Sequence, residues 1–461
     1  MNDENTMIYY DDENYEIQEQ NQRAEYHFEK CKELLFSGKY DEALFEIKKS
    51  IDLDGNYQQF YHLAIIYIIK KDYLSAVDAL TNCVKLNENF LRAYHIMVIC
   101  HIYLGDYKKT EENFIKVIEC NEKIFKDNDK LIDFENKIEN YIKNIYFNDN
   151  FDRKEKIIIL KLIFYIHQIL SVCKVDFDSD INLYFSHYTK LDMLKKLFDK
   201  DKPSKFRLNN AIYMNDPEEG KILKKILLNN SSKINFKNFF NTNIENYTYL
   251  ACFCPYHKVN KYENKSDELP MWVHYGEDCK GINIILDKLF FKNRELYKIQ
   301  YIDVENFNIY ESNKNLIKEL KLLENVKNEE IIRLIKKFEK EEIIKDNLKK
   351  ILKVLQKNDI VENKNEVFKR LVNTLLTHIS YLFKDSDYEY ENEYRIINFE
   401  PYENVLLTDS IIPRLCIEFN NVTKENCYGV IVGPKGNFDD IYAYLKYVGI
   451  GNIIKSNINY K

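Results

Sequence analysis

Three tyrosines, Tyr40, Tyr73 and Tyr107, recur 33 and 34 residues apart in similar settings: Gly38-Lys39-Tyr40 precedes Ala43, Lys71-Asp72-Tyr73 precedes Ala76, and Gly105-Asp106-Tyr107 precedes Thr110. A fixed period of this length constrains the 461-residue chain more than any other feature. Each repeat must be one supersecondary unit that buries its apolar face only against the next. In the helix before each turn, Cys31, Ala64 and Val98 hold the position where a partner helix approaches closely. In the helix after it, Ile47, Leu80 and Phe114 follow Ala43, Ala76 and Thr110 by four residues, which puts small and large residues on one face. Three helical hairpins in register are predicted, the least such a stack needs.

This pattern resembles the tetratricopeptide repeat family over about Ala24 to Asn121, although the usual proline at repeat ends and the first-helix tryptophan are missing. The resemblance implies a concave face that binds a protein or peptide segment. The rival reading is a generic helical bundle whose periodicity is accidental. Residues 1–22, MNDENTMIYYDDENYEIQEQNQ, are acidic and polar, lack the apolar stretch of a secretory signal, and are expected to form a disordered arm. Repeats are expected over 23–122 and capping or linker helices over 123–180, with amphipathic runs at Leu131–Tyr146 and Lys154–Cys173. The most apolar window, Ile157 to Cys173, is interrupted by Lys161, His167 and Gln168. A membrane span needs ~20 predominantly apolar residues, so this window reads as a buried helix.

The period changes at Leu183-Tyr184-Phe185, a β-favouring run, and a mixed α/β domain is expected over 181–461. Further strand-like runs lie at Tyr247–Phe253, Gly281–Leu286, Tyr297–Ile302, Tyr394–Phe399, Cys416–Phe419 and Gly429–Val432. The Lys/Glu-rich stretch over 310–383 reads as two or three solvated helices inserted between strands. The expected fold class is therefore a tetratricopeptide-type α-helical hairpin stack followed by an α+β domain with a helical insertion. A net charge of −7, with acids and bases mixed along the chain, supplies no basic face for nucleic acid. Ten cysteines without a CxxC pair or a repeated spacing argue against a disulfide framework or zinc ribbon and fit the reducing cytoplasm.

No Walker loop, GxGxxG, HExxH or GxSxG is present, so triphosphatase, dinucleotide oxidoreductase, zincin and α/β-hydrolase readings lack local support. What remains is an ordered series of polar and aromatic clusters. Ser186-His187-Tyr188-Thr189 ends a strand; then come Asn215-Asp216-Pro217-Glu218, Ala251-Cys252-Phe253, Met271 to Tyr275 followed by Lys280-Gly281, and Tyr388 to Arg395, reading YEYENEYR. In this order they resemble the bacterial family called domain of unknown function 2971, over about Leu183 to Gly433. The matching features are a strand ending in HYT, an NDPxE turn at Asn215 to Glu218, Cys252 and Phe253 with Cys254 in a serine's place, and the MWxxY segment. Lys384 with Glu391, Glu393 and Arg395, and a strand ending in Gly433-Pro434, complete them. The family supplies no activity.

The layout of histidine and tyrosine ending a first strand, a later aromatic segment and a glutamate near the end resembles mono-ADP-ribosyltransferases of the His-Tyr-Glu type. That resemblance implies NAD as co-substrate and no metal. His187 would anchor the nicotinamide ribose, Tyr275 or Trp272 would stack on the nicotinamide, and Tyr188 and Asn215 would belong to the same binding set. Glu393 would stabilise the oxocarbenium-like transition state, and Arg395 would hold a carboxylate or phosphate. Each residue has a structural rival reading. His187 is equally a buried imidazole satisfied by a carbonyl, Trp272 a core residue, and Asn215-Asp216-Pro217 a turn capping the helix from Glu218. Glu391, Glu393 and Arg395 alternate, so on a strand they share one face, which lines a cleft or meets water. Cys252, Cys254 and His257, with Cys279, form a loose zinc-ligand spacing, and the Gly433-Pro434-Lys435-Gly436 amides could meet a phosphate. Three functions compete: an ADP-ribosyltransferase-like effector coupled to a protein-binding platform, a non-catalytic scaffold, and a metal-dependent nuclease built on Asp216, Glu218 and Glu391.

Overall fold

Helical hairpins form where the spacing predicts them. The computed structural model describes residues 7–119, 150–177, 183–230, 247–256, 267–292, 294–309, 314–323, 329–357, 360, 365–408 and 412–460. Helices α1 (Met7–Phe36), α2 (Tyr40–Leu53), α3 (Tyr57–Ile69), α4 (Tyr73–Leu86), α5 (Leu91–Tyr103) and α6 (Tyr107–Glu119) pair as three antiparallel hairpins. Each turn needs one left-handed residue, supplied by Gly38 (φ 75°), Lys71 (φ 61°) and Gly105 (φ 71°). Glycine enters that region without cost, whereas Lys71 holds its Cβ against the carbonyl. Cys31, Ala64, Val98, Ala43, Ala76, Thr110, Ile47, Leu80 and Phe114 are all fully buried, as the shared face requires. Thr110 can occupy a small-residue position because its hydroxyl donates to the Asp106 carbonyl (2.7 Å).

The disordered arm expected over 1–22 is corrected: from Met7 onward it is the first part of α1. Glu and Gln are good helix formers, and the segment runs without a breaker into the buried positions Ala24, Phe28 and Cys31. The amphipathic run at 131–146 lies outside the described residues. The run at 154–173 is α7 (Arg153–Cys173), and the chain divides within it into compact units of 1–164 and 165–461. The second unit thus starts before the expected 181, because Val175 N–H donates to the Leu296 carbonyl (2.8 Å) and Phe177 stacks on Phe291. By length and composition alone α7 is apolar enough to cross a membrane, and 56% of its apolar window is buried within the structure.

In the second unit, β1 (Tyr184–Thr189), α8 (Asp192–Leu197), β2 (Lys205–Asn210), α9 (Ile222–Asn229), β3 (Thr248–Tyr256), α10 (Leu269–Tyr275) and β4 (Ile282–Leu286) come first. They are followed by β5 (Tyr297–Lys298), β6 (Gln300–Ile302), α11 (Lys314–Leu323), α12 (Glu329–Lys357), α13 (Glu366–Ser380), β7 (Phe383–Asp385) and β8 (Tyr394–Phe399). The last elements are β9 (Leu406–Leu407), β10 (Leu415–Asn421), β11 (Cys427–Val432), α14 (Phe438–Tyr447) and β12 (Ile453–Lys455). Among the described residues ten strands form one sheet in the order β12-β11-β4-β1-β3-β2-β10-β9, with β8 paired to β3 and β5 to β8; β6 and β7 form a separate parallel pair. Among the described residues of the insertion there are three helices, and they are not wholly solvated: Leu348, Ile351, Leu352 and Leu355 of α12 and Phe368, Val372, Leu375 and Ile379 of α13 are buried.

Strand β3 organises the unit. Along one edge it pairs with β8 from Thr248 to Phe253. Along the other, β2 takes Tyr249 and Leu250 while β1 takes Cys254 to Tyr256. Ala251 to Phe253 are left between them, so the sheet opens between β1 and β2. Alternation then sorts the side chains. Phe185, Phe206, Leu208, Tyr249, Ala251, Phe253 and Ile396 join the main core on one face. Tyr188, Tyr256, Met271 and Trp272 form a smaller cluster on the other face, under α10.

Candidate functional site

Where β1 and β2 part from β3, a cavity of about 210 Å³ opens, with Ser186, Tyr188, Arg207, Cys252, Cys254 and Tyr275 on its wall. His187, Asn215, Asp216, Glu219, Lys384, Glu391 and Glu393 line it as well. An apolar cavity of ~150 Å³ takes up a benzene, so this one has room for one ring and its substituents.

The imidazole of His187 fills the gap in the sheet. Its Nδ1–H donates to the Cys252 carbonyl (2.8 Å), which no ladder partner reaches, and its ring packs edge-on against Phe206 at 4.7 Å. Burial lowers its pKa, the carbonyl bond offsetting part of the effect. The imidazole is therefore neutral at pH 7, and its Nε2 is an acceptor without a partner among the described residues.

Beneath the opening lies a buried ion network. Arg395, fully buried on β8, spends all five N–H donors on the protein itself. Nε and Nη2 donate to the two oxygens of Glu393 (2.8 and 2.7 Å), Nη1 and Nη2 to those of Glu219 (2.5 and 2.9 Å), and Nη1 also to the Tyr381 carbonyl (3.1 Å). The expected role for Arg395 is corrected: it grips carboxylates, but those of the chain, and has no donor left for a ligand. Glu219 reaches it from a turn closed by Gly220 (φ 75°), where the Tyr381 ring leaves no space for a Cβ. An N-D-P-x-E pattern counted from Asn215 ends on Glu219, not on Glu218.

Lys384 joins this network to the wall, its Nζ 2.5 Å from Glu391 and 3.5 Å from Glu393. The other oxygen of Glu391 accepts from the Tyr275 hydroxyl (2.8 Å). Glu391 is not on the strand with Glu393 and Arg395; it ends a 3-10 turn, Ser386–Glu391, and Asn392 (φ 42°) swings it back onto the same cluster. Burial raises the Glu393 carboxyl, but Arg395 and Lys384 outweigh it and hold the pKa at about 2. Glu219 is raised by burial despite Arg395, and repulsion by Glu393 adds to the rise. The asymmetry follows from geometry, since Glu393 faces two cations and Glu219 one.

Trp272 is not a stacking platform. It is fully buried, packs edge-on against Tyr188 at 4.9 Å and donates its indole N–H to Asp267 (2.7 Å), so it is core. Of the two stacking candidates, Tyr275 is the one on the cavity wall, where Tyr188 and Asn215 also lie. The nuclease triad does not assemble, because Glu218 turns to Lys225 (2.7 Å) while Glu391 is engaged by Lys384 and Tyr275. Cys252 and Cys254 line the cavity and burial raises both pKa values, so they are thiols at neutral pH. Cys279 sits apart with Trp272, and His257 lies outside the described residues. Among the described residues no three His, Cys, Asp or Glu side chains are grouped to hold a metal ion. The amides after β11 are also spent internally, Gly433 on Gly281, Lys435 on Cys279 and Gly436 on Gly433, so this loop offers them to no phosphate.

Residues 271–396 match the family model described as a protein of unknown function (DUF2971), and residues 60–90 match that of the tetratricopeptide repeat. The chain thus joins a tetratricopeptide repeat to a DUF2971 segment, and the matched segment contains Tyr275, Lys384, Glu391, Glu393 and Arg395. Among solved structures it is similar to the second tetratricopeptide domain of Spaghetti (RPAP3) bound to an HSP90 peptide: 21% identity over 23% of this chain and 97% of that one, TM-score 0.22. It is also similar to the Arabidopsis OM64 tetratricopeptide domain, at 17% identity over 22% of this chain and 83% of that one, TM-score 0.21. The second such domain of human RPAP3, in complex with an HSP70 peptide, gives 19% identity over 22% and 83%, TM-score 0.21. No curated protein matches the chain significantly.

Proposed function

We propose that the repeat stack holds a protein or peptide and that the cavity at the sheet opening takes the nicotinamide end of NAD for ADP-ribosyl transfer, in the cytoplasm. The observation that carries this reading is the Tyr275–Glu391–Lys384 chain on the wall of a one-ring cavity, beside a neutral His187 with a free acceptor nitrogen. Glu391 is proposed in place of Glu393 as the carboxylate for the reacting ribose, because its partners, Tyr275 and Lys384, themselves line the cavity, whereas Glu393 is gripped through both oxygens by the fully buried Arg395. In the reaction the bond between ribose C1′ and the pyridinium nitrogen breaks, its electron pair leaving with nicotinamide. The acceptor's lone pair forms the new bond to C1′, and its proton passes to solvent. Positive charge developing on the ribose is stabilised by a carboxylate that Lys384 and Tyr275 already hold in place. Among the described residues nine cysteines are free thiols, which accords with a reducing compartment.

Isothermal calorimetry with NAD and a nicotinamide-release assay test this reading. Glu391→Gln should leave NAD affinity nearly unchanged and slow release by about a hundredfold or more, as loss of a transition-state contact does. No heat of NAD binding to the full chain would sink it. A second reading, a non-catalytic interaction protein, is favoured by the Arg395 network, in which every guanidinium donor is used within the chain and none is left for a ligand. It requires that the chain release no nicotinamide from NAD and that mutating the concave repeat face, not the cavity, abolish partner capture.

A further inference from the structure

Three buried polar atoms on this cavity wall have no partner among the described residues: Ser186 Oγ, Asp216 Oδ2 and Arg207 Nε. Ser186 is fully buried, and Asp216 is 8% exposed. The other oxygen of Asp216 accepts from Glu218 N–H (2.8 Å), so the turn fixes the carboxylate while leaving Oδ2 unused. Folded proteins seldom leave buried polar atoms unsatisfied, and three on one wall call for a ligand that satisfies them. Their charges are also ordered by depth. Four carboxylates, Asp216, Glu219, Glu391 and Glu393, are at least nine-tenths buried at or below this wall, against two equally buried cations, Lys384 and Arg395. The other cation of the wall, Arg207, is only half-buried and forms no ion pair among the described residues.

We infer that Asp216, Ser186 and Arg207 are specificity-determining residues, and that the cavity selects a ligand with a cationic, hydrogen-bond-donating ring head and an anionic tail. The head enters toward Asp216 and Ser186, where the deep carboxylates outnumber the cations. The tail stays at the less buried edge, on Arg207, since the same excess of carboxylates repels a phosphate from the floor. This rests on the reading of the cavity as an NAD site and sharpens it, because the oxidised nicotinamide ring carries a positive charge and the reduced ring of nearly the same shape does not.

Calorimetry of the full chain with four probes decides the matter: NAD, NADH, nicotinamide riboside and nicotinamide mononucleotide. NAD should bind about tenfold or more tightly than NADH, and Asp216→Asn should bring the two to within about twofold of each other. Arg207→Gln should weaken NAD and the mononucleotide about tenfold while leaving the riboside unchanged. Equal affinity of the wild-type chain for NAD and NADH would overturn this inference and leave the NAD reading standing; binding of none of the four would overturn both. The wild-type comparison needs no variant, so a misfolded substitution cannot blunt it.

Discussion

Arg395 illustrates what spacing reveals about a residue and what it leaves out. The alternation of Glu393 and Arg395 places both on one face, and the structure has them there, but spacing cannot say whether an arginine's donors point to a ligand or to another carboxylate. Here Glu219, 176 residues away in sequence, takes the donors that a ligand would need. Removing the arginine strands two buried carboxylates. Arg395→Met should therefore destabilise the second unit by about 3–5 kcal/mol, read from urea unfolding, and Arg395→Lys should not rescue it because a lysine cannot fork onto two carboxylates. The sole tryptophan, Trp272, is buried in that unit and reports its unfolding directly. The network also predicts a pH dependence. Glu393 is held near 2 from an ordinary 4.5, so its folded-state pKa is depressed. Its contribution is complete above pH 4.5 and is lost as pH falls from there toward 2. Glu219 acts in the opposite sense, its raised carboxyl costing stability as pH rises through it. Urea midpoints followed by Trp272 fluorescence should drop below pH 4.5, and the drop should flatten in Glu393→Gln.

Legibility at the level of elements follows the length of the periodic signal. The hairpins were readable because a small residue and a large one four positions on define a buried stripe, and that stripe recurs three times in register. The longer strands β3, β4, β8 and β11 were readable as apolar runs. Strand β2 is not legible in the sequence, because Lys205, Arg207 and Asn209 alternate with Phe206 and Leu208, and Arg207 and Asn209 serve the cavity instead of solvent alone. The two- and three-residue strands β7, β9 and β12 carry too few positions for any period. Close packing of the hairpins gives its own test. Ala76 is fully buried in α4, so Ala76→Leu should overpack the second hairpin and cost about 1–3 kcal/mol. Trp272 fluorescence is blind to this unit, so hydrogen exchange of α3 and α4 amides is the measurement; unchanged protection would show that the interface has room the buried alanine does not suggest.

For the whole molecule, every residue argued to meet the ligand, from Ser186 to Glu393, belongs to the unit beginning at Tyr165, and the three hairpins belong to the other. On the proposed reading, a platform of this kind would raise the local concentration of the acceptor it holds without touching the reacting bond. Transfer to a bound protein and release of nicotinamide to water should therefore respond differently to damage in the repeats. Ala76→Leu, by disturbing the stack, should reduce capture of the protein partner and its modification together. Nicotinamide release in the absence of partner should stay within about twofold of the unaltered chain, as substitutions in independent sites leave each other's energetics alone. Glu391→Gln should do the reverse, keeping capture while suppressing both reactions. A fall in partner-free release on Ala76→Leu would instead mean that the repeats set the conformation of the cavity, and the coupling free energy between the two sites would then follow from a double-mutant cycle.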